Sequence, residues 1–256
     1  PDVSAGHAHP LHRPGTSPVH RMPSEVKIVA ALAFVVSVVA TPREAVWAFG
    51  LYAVLLAAVA VAAGVPAKWL ATRGLIETPF VVLALALPFL ESGPVVHVGF
   101  LTLSEHGLWA GWNIVAKGTL GVFASLLLAA TTNARDLLHG LQRLRTPAPI
   151  VQIATFMLRY ADVIVGNARA MRIARLSRCH DPRFLWQVRA FATSIGSLFL
   201  RSYERGERVY VAMLSRGYTG ALPMGVTARP PARQWATALT IPAAAAAVSV
   251  TAWLTT

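Results

Sequence analysis

Hydrophobic residues along the chain fall into long runs broken by short polar stretches, and the runs predict helices that cross a bilayer. Val26–Ala40 is the first; it reaches spanning length only if its helix begins near Ser24, and Thr41-Pro42-Arg43-Glu44 ends it. Ala45–Ala63 follows and stops at Gly64-Val65-Pro66. Leu75–Leu90, interrupted by Pro79 and Pro88, is the third run, and Leu108–Ala130 is the fourth. Trp235–Leu254 is the last, with Trp235 and Trp253 near its ends, where aromatic rings favour the boundary between lipid and water. Five spans are expected. The Ala-rich stretch Ala243–Ala247 reads as lipid-facing filler.

Between Asn133 and Gln234 the pattern changes. Val188, Phe191, Ala192, Ile195, Leu198, Phe199, Ser202, Val209, Tyr210 and Met213 recur at helical spacing, while Arg189, Arg201, Glu204, Arg205 and Arg208 take the opposite face. An amphipathic helix of about thirty residues is predicted there, with Glu204 placed to pair with Arg208 one turn on. An earlier helix starts after Pro147 or Pro149 and runs through Ile153, Met157, Ala161, Val165 and Met171. Arg169, Arg172, Arg175 and Arg178 then recur every third residue, winding a slanted basic stripe around its last turns, where cations suit the helix dipole. His180-Asp181-Pro182 ends this helix, and Gly217 ends the second by taking a left-handed cap conformation. Ser177-Arg178-Cys179 and Ser215-Arg216-Gly217 are therefore two similar helix tips. The short link between the helices keeps those tips apart by about 45 Å, the length of thirty residues at 1.5 Å each.

Composition agrees with a membrane protein: 55% of the 256 residues are hydrophobic and only 13% charged, with a mean hydropathy of +0.54. The net charge of +12 is confined to few places. Of 23 basic residues, 21 fall on one side of the expected bilayer, sixteen of them Arg between Asn133 and Gln234; Arg43 lies outside, and Lys117 sits within the fourth run. The positive-inside rule then puts the N-terminus, the loop 66–74 and the basic segment in the cytoplasm. The sequence divides into a mobile tail over 1–23, four spans over 24–132, a cytoplasmic segment over 133–233 and a last span over 234–256. The fold class is all-α, a polytopic membrane protein of about five spans with long amphipathic cytoplasmic helices.

The candidate chemistry is sparse. Cys179 stands alone, so neither an internal disulfide nor a paired-Cys metal site is available. His7, His9, His12 and His20 in the tail lack the preorganised geometry of a metal site and read as solvated. No phosphate-binding loop, His-Glu-x-x-His or nucleophile elbow occurs, so neither catalysis nor a resident cofactor is expected. Lys117, Glu77, Glu91, His97, Glu105 and His106 keep open an intramembrane enzyme or channel, although most lie at span ends. The basic segment suits anionic lipid, nucleic acid or an acidic protein groove; nucleic acid is disfavoured because Phe191, Phe199 and Tyr210 lie on the apolar stripe.

Thr131-Thr132-Asn133-Ala134-Arg135-Asp136-Leu137-Leu138, then Gly140-Leu141 and Pro147, then the paired tips with Tyr218, resemble the transmembrane T component of energy-coupling factor transporters, most nearly the cobalt-uptake branch. The resemblance covers roughly residues 131–220. It departs at 177 and 215, where Ser replaces Ala, and at Cys179, which stands where Gly is usual. It implies that each tip docks in a groove of one of two ABC ATPase subunits, with Arg178 and Arg216 central and Arg169, Arg172 and Arg175 in support. It also implies a separate substrate-binding membrane subunit, residence in the cytoplasmic membrane, and cobalt as cargo, with nickel or biotin as alternatives.

Overall fold

A computed structural model describes residues 11–90, 95–98, 101–178, 188–220 and 231–255. It places them in helices α1 (Pro18–Arg21), α2 (Ser24–Ala40), α3 (Val46–Ala62), α4 (Ala67–Gly74) and α5 (Thr78–Leu90), a hairpin β1 (Val95–Val98) and β2 (Leu101–Ser104), then α6 (Glu105–Thr131), α7 (Ala134–Arg143), α8 (Ala148–Leu176), α9 (Val188–Leu214) and α10 (Ala232–Thr255). The chain is a helical, multi-pass membrane protein. One compact unit is Leu11–Leu144 with Ala228–Thr256, and a second contains Arg145–Thr227.

In the first unit α2 packs against α6, α7 and α10, and α5 lies along α6. The core centres on Tyr52 of α3, which is fully buried. Its hydroxyl lies 2.8 Å from Thr41 Oγ1 and donates to the Ala245 carbonyl at 3.3 Å, while Phe34 and Phe49 meet its ring edge-on. The Tyr contact corrects the reading of Ala243–Ala247, because Ala245 is fully buried while its four neighbours in that stretch face outward.

Glycine sets the approach of α5 and α6. A Cβ on Gly107 would stand 2.7 Å from the Leu87 carbonyl oxygen, and one on Gly111 would stand 2.6 Å from that of Ala84. Small residues let membrane helices touch backbone to backbone in this way, replacing the hydrophobic drive that lipid removes.

Two lysines and an ion pair close the helix ends. Lys27 Nζ donates to the carbonyl of Thr131 at the end of α6, to Thr132 Oγ1 and to the His20 carbonyl. Lys117, reaching from α6, donates to the Val39 carbonyl at the end of α2. Trp253 caps the adjacent Ala40 carbonyl at 2.8 Å. Glu25, buried in the first turn of α2, accepts from Arg143 Nη1 at 3.1 Å on both carboxylate oxygens.

Three segments differ from the sequence expectation. Residues 66–74 contain the helix α4 rather than a loop, because Pro66 precedes a run of good helix formers. The expected outer loop 91–107 contains the β hairpin, with Val95 opposite Ser104, and α6 starts at Glu105 behind the cap of Ser104. Residues 11–23 are structured: Ser17 caps α1, Arg13 N–H bonds to the Ala130 carbonyl, and Val19 packs on the core. His20 is engaged there with Ser17 Oγ and the Arg13 carbonyl. Among the described residues no group of three His, Cys, Asp or Glu is placed to hold a metal ion; His7 and His9 lie outside the described residues.

By length and composition four described stretches can cross a bilayer: Ala67–Leu90, Glu105–Thr131, Ala148–Leu176 and Ala232–Thr255. The 17 residues of α3 are a shorter apolar helix, and α2, also of 17 residues, does begin at Ser24.

Candidate functional site: two matched helix tips

The second unit is built on α8 and α9. Gln152, in the first turns of α8, donates to the Gly220 carbonyl at 2.9 Å and accepts from the Tyr218 hydroxyl at 2.8 Å, just past the end of α9. At the other end the Arg175 guanidinium lies 5.3 Å from the Phe191 ring at the start of α9. The two helices therefore run antiparallel, and their C-termini lie at opposite ends of the pair. With 29 and 27 residues at 1.5 Å each, those ends are separated by about 40 Å.

By length and composition α8 could span a bilayer, while its partner α9 carries five charges along its middle turns. Arg201, Glu204, Arg205, Glu207 and Arg208 sit in the middle of α9 and would fall in the bilayer core if the pair crossed it, a cost that isolated membrane charges do not recover. Glu204 and Arg208 form the expected pair at 3.8 Å.

Both helices end on a common local geometry. Ser177 N–H bonds to the Ile173 carbonyl and its Oγ to that of Ala174; Ser215 N–H bonds to Val211 and its Oγ to Ala212. The Arg178 and Arg216 N–H groups then each turn to the carbonyl three residues back. Beyond Arg216 the tip closes as anticipated. Gly217 has φ +81°, its N–H reaches Leu214 and that of Tyr218 reaches Met213, the paired bonds of a glycine-terminated helix. Ser177, Arg178, Ser215, Arg216 and Gly217 are all exposed, as are Arg169 and Arg172, while Arg175 turns inward. Cys179 and His180-Asp181-Pro182 lie outside the described residues.

The apolar stripe of α9 is divided. Leu198, Ser202, Val209 and Met213 are half-buried, whereas Phe191, Ile195, Phe199 and Tyr210 are each more than half exposed. A cavity of about 390 Å³ between the helices is lined by Phe156, Met157, Tyr160, Val209, Tyr210 and Met213, among others. The ionisable residues proposed for membrane chemistry are dispersed: Lys117 caps α2, buried Glu77 accepts from Thr119 Oγ1 at 3.2 Å, and Glu105 and His106 are exposed at the start of α6. Glu91 and the side chain of His97 lie outside the described residues. The Gln152 contact with the second tip was invisible in the sequence, its only signal being a polar side chain in an otherwise apolar turn.

The family model described as CbiQ, cobalt transport protein, matches residues 15–225. The chain belongs to this family. Among curated proteins it is 28% identical over 222 residues to the energy-coupling factor transporter transmembrane protein EcfT of Bacillus selenitireducens, covering 81% of this chain and 82% of that one. It is 28% identical over 169 residues to the cobalt transport protein CbiQ of Rhodobacter capsulatus, covering 66% and 67%. A putative fused cobalt transport protein CbiMQ of Methanocorpusculum labreanum matches at 27% over 111 residues, which is 43% of this chain and 18% of the fused one. Membership makes the chain a transmembrane energy-coupling component of a transporter complex, and the matched region includes both tips.

Proposed function

We propose that Arg178 and Arg216 dock in two ATP-hydrolysing subunits, one tip to each, and that this chain transmits the closure of that ATPase pair to a separate substrate-binding membrane subunit. The observation that carries the reading is the repeated geometry at the two ends of one antiparallel pair: a Ser folded back on its helix, then an exposed Arg. Two like tips about 40 Å apart fit two like sockets better than one. The exposed Phe199, Tyr203 and Val211 of α9 support a further protein contact, because apolar side chains bared together on one helix are unstable in water. The putative fused cobalt transport protein CbiMQ, of which this chain matches 18%, supports a further transport subunit at close range. Cobalt ion is the proposed cargo, on the names of the relatives, with nickel and biotin as alternatives. The distribution of basic residues supports insertion in the cytoplasmic membrane with the N-terminus and both tips in the cytoplasm.

The test is the Arg178→Glu, Arg216→Glu double variant, coexpressed with the ATPase. Loss of ATPase copurification and of ATP-driven cobalt uptake at normal membrane levels is expected, since a carboxylate reverses the charge offered to the socket. Either Lys variant should retain partial function, because an ammonium lacks the planar fork of a guanidinium. Normal uptake by the double variant refutes the docking role.

A further inference from the structure

Along α8 the side chains change character at one place. From Ala148 to Ala168 only Arg159 and Asp162 are charged, whereas from Arg169 to Arg178 every third residue is Arg. Two cavities flank the α8–α9 pair at that change. One, of about 410 Å³, is lined by Asn167, Ser194 and three Arg, namely Arg175, Arg178 and Arg201. The other, of about 350 Å³, is lined by Val165, Ala168, Phe191, Ile195 and Leu198, with Arg169 and Arg172 also on its wall. Met171, Arg175 and Ser194 belong to both, so the cavities share a wall. No Asp or Glu lines either one.

Arg175 stands in that wall. Its guanidinium is oriented over the Phe191 ring, and its Nε is buried without a hydrogen-bond partner among the described residues. A buried guanidinium N–H without an acceptor is costly, and three guanidinium groups around one space with no carboxylate among them repel each other until an anion arrives. A polar anion cavity adjoining an apolar slot fits an amphiphile. We propose that the paired cavities bind one anionic phospholipid, with its phosphate held by Arg175 and Arg201 and an acyl chain in the slot formed by Val165, Phe191, Ile195 and Leu198. Arginine forks match phosphate oxygens two at a time. A free phosphate would satisfy the Arg and leave the slot in water. A carboxylate from a partner protein would likewise leave it unfilled.

Purified full-length protein in neutral detergent, mixed with phosphatidylglycerol or phosphatidylcholine and examined by native mass spectrometry, tests this. One phosphatidylglycerol retained per chain, and no phosphatidylcholine, is expected. Arg175→Gln and Arg201→Gln should each weaken retention about fivefold, the contribution of one basic side chain beside an anionic headgroup. Arg201→Lys should keep most of it, which separates lost charge from a lost fold. Ile195→Asn should weaken long-chain phosphatidylglycerol and leave the short-chain dihexanoyl form unaffected. Equal retention of both lipids, or retention unchanged in the Arg175→Gln, Arg201→Gln double variant, overturns the proposal. Displacement by sodium phosphate as readily as by free phosphatidylglycerol overturns it in favour of a bare anion cavity. Loss of the ATPase from Arg201→Gln with lipid retention intact overturns it in favour of a protein partner.

Discussion

Lys27 Nζ lies 2.8 Å from the carbonyl oxygen of Thr131, tying the first turn of α2 to the last of α6. Lys117 answers it at the opposite end, 2.8 Å from the Val39 carbonyl. Each of the two antiparallel helices thus supplies the cation that caps the other, satisfying carbonyls that have no partner within their own helix. Replacing Lys27 by Met should lower the thermal midpoint of the purified protein by an amount equivalent to about 1–3 kcal/mol, the cost of a buried acceptor left open. An unchanged midpoint would show that Thr131 finds another donor.

The contact between α5 and α6 yields a paired test on glycine. Gly111→Ala should reduce folded yield in detergent, because its methyl meets the Ala84 backbone carbonyl, which cannot rotate away. Gly121→Ala, on the same helix with nothing within 4 Å, should be neutral or stabilising by up to about 1 kcal/mol from helix propensity. Equal behaviour of the two in size-exclusion and thermal assays would contradict the close approach.

Gln152 and Tyr218 hold the second tip from behind. Tyr218→Phe and Gln152→Leu should each impair coupling of ATP hydrolysis to uptake while leaving membrane insertion normal. Both remove the same 2.8 Å bond, and Gln152→Leu also removes the bond to the Gly220 carbonyl, so the double variant should be little worse than Gln152→Leu alone. Additive losses would mean that the two side chains act separately. Gly217→Ala, at φ +81°, should impair the same readout by straining the cap, at about 1–2 kcal/mol.

Topology is accessible to impermeant thiol reagents once Cys179 is replaced. A cysteine at Glu44, exposed in the turn between α2 and α3, should label from outside intact cells. One at Ala148, exposed at the start of α8, should label only after permeabilisation. The reverse pattern would invert the bilayer assignment. Position 44 also carries an ion pair: the Arg43 side chain, bonded to Glu44 at 3.0 Å, holds its carboxyl below the usual carboxylate range, with the Lys117 ammonium adding to the effect.

What the sequence made legible was whatever depends on local order. The apolar runs and their proline and glycine breaks located α2, α3, α5, α6 and α10 to within a few residues, and the left-handed cap at Gly217 followed from its place after the last apolar turn. Contacts between distant positions were not legible. Nothing near Gln152 announces a bond to a residue 66 positions away, and nothing near Glu25 announces Arg143. The division of the α9 stripe was hidden for the same reason: helical periodicity identifies an apolar face, but only the line of contact with α8 decides that Leu198 is half covered while Phe199 is left bare. Residues 11–23 read as tail because their composition is polar and proline-rich, yet Ser17, His20 and Arg13 find partners that composition does not reveal.

The spacing at Gly107 and Gly111 bears on the path of whatever is carried. A seam that has no room for one methyl group has none for a water molecule, and a cation keeping any of its hydration shell is wider still. The α5–α6 seam is therefore closed to cargo at those two levels, and opening it would mean parting helices that touch along their backbones. The two helices are therefore expected to shift as one piece during any motion of the transporter, with no gap opening between them at those levels.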